Sequence, residues 1–339
     1  MKANTEPYAK FALCREMLET VDVARRFDPK SASDLLGALR NTRCAFLTGE
    51  GSSRIFPAKR ARKHSLESGF PIPIQTDGAT QALSYDLSGS AVFGVSNSGK
   101  TKEVVRLFKQ LAPLEDVYRA AVTTFGDSPL AGLAQKTYVL GCGAEDAVAA
   151  TKSVVEQALF YHALFAAYAE EHMNGADELA DQLSEALTTA VDGELVAACA
   201  AAPTVYFAGR NDGVAEELTL KTNEITRKKS DFLEGTYAVH GIEEVMDPAD
   251  VVILIDPFEE EEEKFKQVLV DGVGLTVLAV SSRRTTFPTI TIPESRHFPE
   301  YLQLAAGWNL LVEIGLALKV DLDKPTRARK VGNEVQQGD

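Results

Sequence analysis

The chain has 339 residues, 45% of them hydrophobic and 25% charged, with a net charge of −14. That length implies about two domains, and the negative charge argues against nucleic acid or an anionic membrane surface as partner. Cys14, Cys44, Cys142 and Cys199 are scattered without CxxC spacing, which suits a reducing compartment and argues against a cysteine-based zinc site.

The opening MKANTEPYAK does not read as a signal peptide, because acidic and polar residues interrupt every apolar run. No stretch reaches the about 18 apolar residues of a membrane span, so a cytoplasmic protein is expected. An amphipathic helix is predicted over residues 8–26. A strand at 44–48 runs into the small-residue loop Gly49-Glu50-Gly51-Ser52-Ser53, and a helix follows near 57–68. An extended segment covers 71–76. The apolar run 91–95 breaks into Ser96-Asn97-Ser98-Gly99-Lys100-Thr101, after which Val104, Val105, Leu107, Phe108 and Leu111 share one helical face. Strands are predicted at 120–124 and 137–141, and a long helix over 146–170. A helical link at 175–193 leads to a second unit with strands at 204–208, 251–255 and 275–281. Its helices are expected over 216–227, 259–269 and 299–317. Strands alternating with helices imply an α/β protein built on parallel sheets flanked by helices.

The segment 91–111 carries the chemistry. Strand, polar loop and helix N-terminus together present backbone N–H groups, the positive end of a helix dipole and several hydroxyls, which suits an anion. Three readings arise. GVSNSGKT satisfies the Walker A pattern with Gly94 as its first glycine, although the loop is Ser-rich rather than Gly-rich. Ser and Thr also cap helices without any ligand. The third reading, a sugar-phosphate loop, gains support from segments further along. The corresponding position in the second half starts Asp256-Pro257 and runs into Glu259 to Glu263, an acidic helix start that repels phosphate, so only the first half is expected to hold such a site.

Two such halves resemble the double SIS (sugar isomerase) family, in particular the isomerase half of glucosamine-6-phosphate synthase. The loop Ser96 to Thr101 looks like that family's S-x-S-G-x-T phosphate loop, and Gly51-Ser52-Ser53 its G-T-S loop. Val148-Ala149-Ala150-Thr151-Lys152 is similar to its V-A-S-T-K segment, and Gly209-Arg210-Asn211-Asp212 to its G-R-G-D turn. Glu224-Ile225 and His240-Gly241 stand at the family's separation of Glu-Ile and His-Gly. The tail from Asp323-Lys324-Pro325 to Lys330 resembles its D-Q-P-x-x-L-A-K. The chain departs from the family at Lys100, where glutamate is common, and at Ile242-Glu243, where Pro-Leu is usual. No amide-transfer domain is expected.

The resemblance implies two SIS-type three-layer units, at 36–175 and 195–322, preceded by a helical segment 1–35 and followed by an active-site tail 323–339. It implies Ser96, Asn97, Ser98, Thr101, Gly51, Ser52 and Ser53 as phosphate ligands. Ala149, Ala150, Lys152 and Arg210 would touch the sugar. Glu224 would move the proton between sugar carbons, His240 would open the ring from a neighbouring subunit, and Lys330 would meet the open-chain carbonyl. The expected reaction is a C1/C2 proton shift on a hexose or amino-sugar 6-phosphate: isomerisation, deamination or fructosamine 6-phosphate cleavage. No metal or cofactor is expected, and His64, His162, His172 and His297 show no metal-ligand spacing. A homodimer with shared sites is implied. The basic run Arg227-Lys228-Lys229 suggests an acidic substituent on the substrate. The alternative of another class is a non-catalytic sugar-phosphate sensor.

Overall fold

The computed structural model describes residues 1–2, 5–173, 175–328 and 333–335. It divides into two compact units. One comprises Asp22–Glu145 and Ala150–Ala176 with tail residues 333–335; the other comprises Met1–Val21, Asp146–Ala149 and Asp177–Ala328.

The first unit holds β1 (Ala45–Gly49), β2 (Ile74–Gly78), β3 (Ala91–Val95), β4 (Tyr118–Thr123) and β5 (Lys136–Val139), in the order β2-β1-β3-β4-β5. Every pairing is parallel. Alternate residues split between two faces, as strand geometry requires. Ala45, Leu47, Phe93, Val95, Ala120 and Val122 pack with Ala58 and Ala61 of the helix Ile55–Ser68 and with Phe160 and Tyr161 of the helix Lys152–Tyr168. Phe46, Val92 and Ala121 point the other way, onto Val104, Leu107 and Phe108 of the helix Lys102–Leu111. The unit is therefore three-layered.

The second unit repeats the plan with β6 (Thr204–Gly209), β7 (Lys229–Glu234), β8 (Val251–Ile255), β9 (Thr276–Ser281) and β10 (Thr289–Thr291). Its order, β10-β9-β8-β6-β7, is the first sheet's order read from the other edge, and again all pairs are parallel. The helices Val214–Thr226 and Pro299–Ala317 pack on each other and against β6 and β9. Among the described residues no helix is long and apolar enough to cross a membrane. None of them form a group of three or more His, Cys, Asp or Glu side chains able to hold a metal ion.

Several elements differ from expectation. β7 lies in the charged stretch where no strand was predicted; it is an edge strand, alternately exposed, so its KSDFLE sequence need not be apolar. β10 is three residues long, too short to show a period. The long helix starts at Lys152 rather than near 146, because residues 141–151 form a loop that caps it. The predicted link is two helices, Ala176–Thr188 and Gly193–Ala201, the second capped by Asp192. The acidic run 259–269 is a 3₁₀ turn, a short α segment and a π-helical stretch from Lys266 to Val273.

Asp323 ties the leading helix in place. Its carboxylate accepts from the N–H groups of Ala12 (2.9 Å) and Leu13 (2.8 Å) at the start of Ala12–Arg26, and its carbonyl accepts from Val148 N–H at 3.2 Å. A carboxylate on a helix N-terminus gains from both bonds and dipole. Asp323→Ala is expected to lower unfolding stability by about 1–2 kcal/mol, read as a lower urea midpoint with an unchanged slope.

Candidate functional site

The loop after β3 is built on its own hydroxyls. Ser96 is buried, donates its N–H to Val122 O (3.1 Å), and its carbonyl accepts from Gly99 N–H (3.0 Å). The Ser96 and Thr101 hydroxyls are hydrogen-bonded at 2.8 Å. Thr101 N–H donates to Ser96 Oγ (3.4 Å) and Lys100 N–H to Ser98 Oγ (3.3 Å). Thr101 is the N-cap residue of Lys102–Leu111 yet makes no side-chain cap bond, so its hydroxyl faces the loop instead. Gly99 sits at φ +65°, and a Cβ there would lie 2.1 Å from Ser128 Oγ and 2.8 Å from Thr123 Oγ1. Gly94, which the Walker A pattern needs in its loop, lies within β3; a Cβ there would stand 2.4 Å from the Phe108 ring, so close packing explains this glycine.

β1 and β3 are paired neighbours, so their carboxyl ends lie side by side. A Cβ on Gly49 would fall 3.0 Å from Val95 O and 3.1 Å from Ser53 O, which measures the approach. Gly51–Ser53 is one 3₁₀ turn in which Ser52 is buried and Ser53 half-buried. Both loops thus open at the carboxyl ends of β1 and β3, where the strand order reverses; open parallel sheets bind ligands in that crevice. Glu50, beside this turn, was not singled out from sequence. Its Oε1 accepts from Ala79 N–H (3.0 Å), and desolvation, followed by the nearby Glu103 carboxylate, pushes its carboxyl above the usual range.

The tail also reaches this loop. Lys102 N–H donates to Asn333 O (2.9 Å), Val335 N–H to Lys100 O (2.8 Å), and Asn333 Nδ2 to Glu103 Oε1 (3.1 Å). A cleft of about 870 Å³ beside it is lined by Ser98, Lys100, Phe125, Ser128 and Glu334, among others. Lys330 lies outside the described residues. Asn97 turns away from this cleft: its Nδ2 donates to Glu145 Oε2 (3.2 Å), and its Oδ1 accepts from Thr124 Oγ1. Ala149 is buried, Ala150 half-buried, and Lys152 buried at the first position of its helix.

In the second unit, Arg210 follows β6, 3.5 Å from Asp256 Oδ2 and 4.0 Å from the centre of the Phe258 ring. Glu224 stands near the end of Val214–Thr226. Its Oε2 is 2.7 Å from Lys221 Nζ, which also meets Glu217 Oε1 at 3.3 Å. Burial alone would depress the Lys221 ammonium, but the carboxylates of Glu224 and Glu217 outweigh it and hold the pKa above the ordinary lysine value. Lys221 and Glu217 were legible only as part of a charged stretch, since their burial depends on packing. His240 is exposed, with Nε2 3.4 Å from Lys264 Nζ. The acidic-substituent reading of the basic run loses two of its three residues. Arg227 donates to the carbonyls of Glu224 and Asp321, and Lys228 Nζ to those of Ala200 (2.9 Å) and Ala202; both serve backbone carbonyls at chain ends of helices and turns.

Residues 39–167 match the model of the SIS domain family. The chain contains a SIS domain. No curated protein matches the chain, but solved structures do. The C-terminal domain of glucosamine-fructose-6-phosphate aminotransferase from Francisella tularensis superposes with a TM-score of 0.76 at 15% identity, covering 95% of this chain and 100% of that one. Tagatose-6-phosphate ketose/aldose isomerase from Escherichia coli gives 0.78 at 16%, covering 94% and 98%. Glucosamine-6-phosphate deaminase from Thermotoga maritima gives 0.69 at 17%, covering 93% and 98%. At these identities the likeness shows the fold: two SIS-type units, each a parallel sheet between helices, of which the SIS match covers the one bearing the Ser96–Thr101 loop.

Gly99 offers a test of the loop. Gly99→Ala is expected to cost about 2–4 kcal/mol, from left-handed backbone strain plus overpacking against Ser128. Gly143→Ala, at φ +74° with nothing within 4 Å of the new Cβ, carries only the backbone cost of about 1–2 kcal/mol. Equal losses in thermal or urea unfolding would contradict the crowding at Gly99.

Proposed function

We propose that the chain is an enzyme acting on a hexose or amino-sugar 6-phosphate by proton transfer between C1 and C2. The observation that carries this reading is the Ser96–Thr101 loop at the carboxyl end of β3, beside the end of β1 where the strand order reverses, with the Ser96 and Thr101 hydroxyls 2.8 Å apart at a helix N-terminus. Hydroxyls and backbone N–H groups together suit a phosphate dianion without a metal. The solved structures of the same fold include a ketose/aldose isomerase and a deaminase of 6-phosphosugars, which supports this substrate class and C1/C2 chemistry.

In this reading Ser96, Ser98 and Thr101 hold the phosphate with Gly51, Ser52 and Ser53 on its other side. Glu224 is the base, and its Oε2 lies 2.7 Å from Lys221 Nζ. His240, exposed on its loop, opens the ring in the site of a second copy, so the active form is a homodimer. Lys330 meets the open-chain carbonyl.

Each hydroxyl-to-phosphate bond contributes roughly 1.5–3 kcal/mol, so Ser98→Ala is expected to raise KM for the true 6-phosphosugar about tenfold or more, with the fold intact. Calorimetry with fructose 6-phosphate, tagatose 6-phosphate and glucosamine 6-phosphate checks it; equal affinity in mutant and wild type removes the phosphate from this loop. Glu224→Gln is expected to lower kcat by about 10²–10⁴-fold with little change in KM. NMR detects solvent deuterium at C1 or C2 with the wild type and none with the variant. Near-normal turnover by Glu224→Gln would remove Glu224 as the base, whereas 6-phosphosugar binding without turnover by the wild type would leave a sugar-phosphate sensor as the better reading.

A further inference from the structure

Glu145 lies outside every motif and is nearly fully buried. Among its bonds, Oε1 accepts from Thr151 N–H (2.7 Å) and Thr151 Oγ1 (3.3 Å), and Oε2 from Ser153 Oγ (2.6 Å) and Asn97 Nδ2 (3.2 Å). Burying a carboxylate is costly unless it is well hydrogen-bonded. The Thr151 and Ser153 bonds cap Lys152–Tyr168, and an ordinary cap would need no more. The fourth bond crosses to the Ser96–Thr101 loop.

At the far end of that bond, Asn97 is fixed on every side. Its amide nitrogen faces a carboxylate and its amide oxygen accepts from Thr124 Oγ1, so its orientation is set by its partners. Its carbonyl accepts from Thr123 Oγ1 (3.2 Å) and Thr124 N–H (3.1 Å). Asn97 stands between Ser96 and Ser98, the residues read above as phosphate ligands. Both polar ends of its side chain are committed inside the protein.

We infer that Glu145 is a positioning residue for the phosphate loop, acting through the Asn97 amide, and that Asn97 is a strut rather than a phosphate ligand. The inference rests on the phosphate-loop reading above. Hydroxyls that must converge on one ligand have to be held within about 0.5 Å by packing and by hydrogen bonds behind them. Glu145 supplies that hold and joins the loop to the first turn of Lys152–Tyr168, so the Ser98 hydroxyl and the start of that helix move as one body.

Glu145→Gln tests it. If the glutamine oxygen stays on Thr151 N–H, its NH2 group faces the Asn97 NH2 group, donor against donor. The strut is lost while much of the cap remains. Loss of one such bond corresponds to about tenfold. Amide hydrogen exchange across residues 96–101 of the unliganded protein should therefore speed up about tenfold. Affinity for fructose 6-phosphate and for inorganic phosphate should fall about tenfold, with kcat changed less than about threefold. Adding Asn97→Asp reverses the polarity of the pair, NH2 now facing carboxylate, and should return the exchange of 96–101 toward wild type.

Exchange in 96–101 that matches wild type in Glu145→Gln, with only the start of Lys152–Tyr168 loosened, overturns the inference and leaves the phosphate reading standing. Loosening of 96–101 with rescue by Asn97→Asp, in a wild-type protein that binds neither phosphate nor 6-phosphosugar, supports the strut and overturns the phosphate reading. Should Glu145→Gln fail to fold, Asn97→Ala leaves the helix cap intact and must itself speed exchange and weaken binding; no change in either refutes the proposal.

Discussion

A parallel strand cannot return to its neighbour by a tight turn, and both sheets are wholly parallel. Each connection must cross a face of the sheet, so all carboxyl ends of the strands in a unit share one edge. In the first sheet β1 is flanked by β2 on one side and β3 on the other. The crossovers from these strands leave toward opposite faces, and the loops between them part. The approach of Gly49 to Val95 O and the placement of Glu50 both follow from that reversal. Hydroxyl chemistry there depends on the topology before it depends on any one residue.

The second sheet has the same reversal at β6, flanked by β7 and β8, with different contents. Arg210 faces Asp256 and lies over Phe258, Ser281 Oγ donates to Asp256 Oδ1 (3.3 Å), and Arg283 donates to Pro257 O (2.6 Å). Asp256 takes a positive φ of 44°, unusual for a residue with a side chain. One crevice is lined mainly with hydroxyls and backbone N–H groups beside Glu50; the other holds the Arg210–Asp256 pair. The same backbone plan carries a hydroxyl-rich loop in one unit and an internal ion pair in the other.

What could be read from the sequence was what is local. β1, β3 and β8 are fully buried and spell out as apolar runs, and the helical face Val104 to Leu111 is buried as its period requires. Ser96 to Thr101 is legible because strand, loop and helix start lie within about one turn of each other along the chain. β7 was missed because its KSDFLE sequence is charged, and β10 because three residues are too few to show a period. Glu145 was missed because its meaning lies in Asn97, 48 residues earlier. The tail pairing with Lys100 and Lys102 joins segments more than two hundred residues apart. Lys228 illustrates the opposite error: a charge assigned to a ligand is spent on the carbonyls of Ala200 and Ala202.

Gly99 has a consequence at the level of the gene. Every base change in a glycine codon that alters the amino acid supplies a Cβ or a stop. At Gly99 that Cβ meets the hydroxyls of both Ser128 and Thr123 on a left-handed backbone. No single-step neighbour of this codon is sterically silent, and relief would need a second change at Ser128. Loop and wall must then drift together or not at all, so divergence around this crevice is expected to arrive in correlated pairs, while exposed positions such as Lys100 and Lys102 vary one at a time.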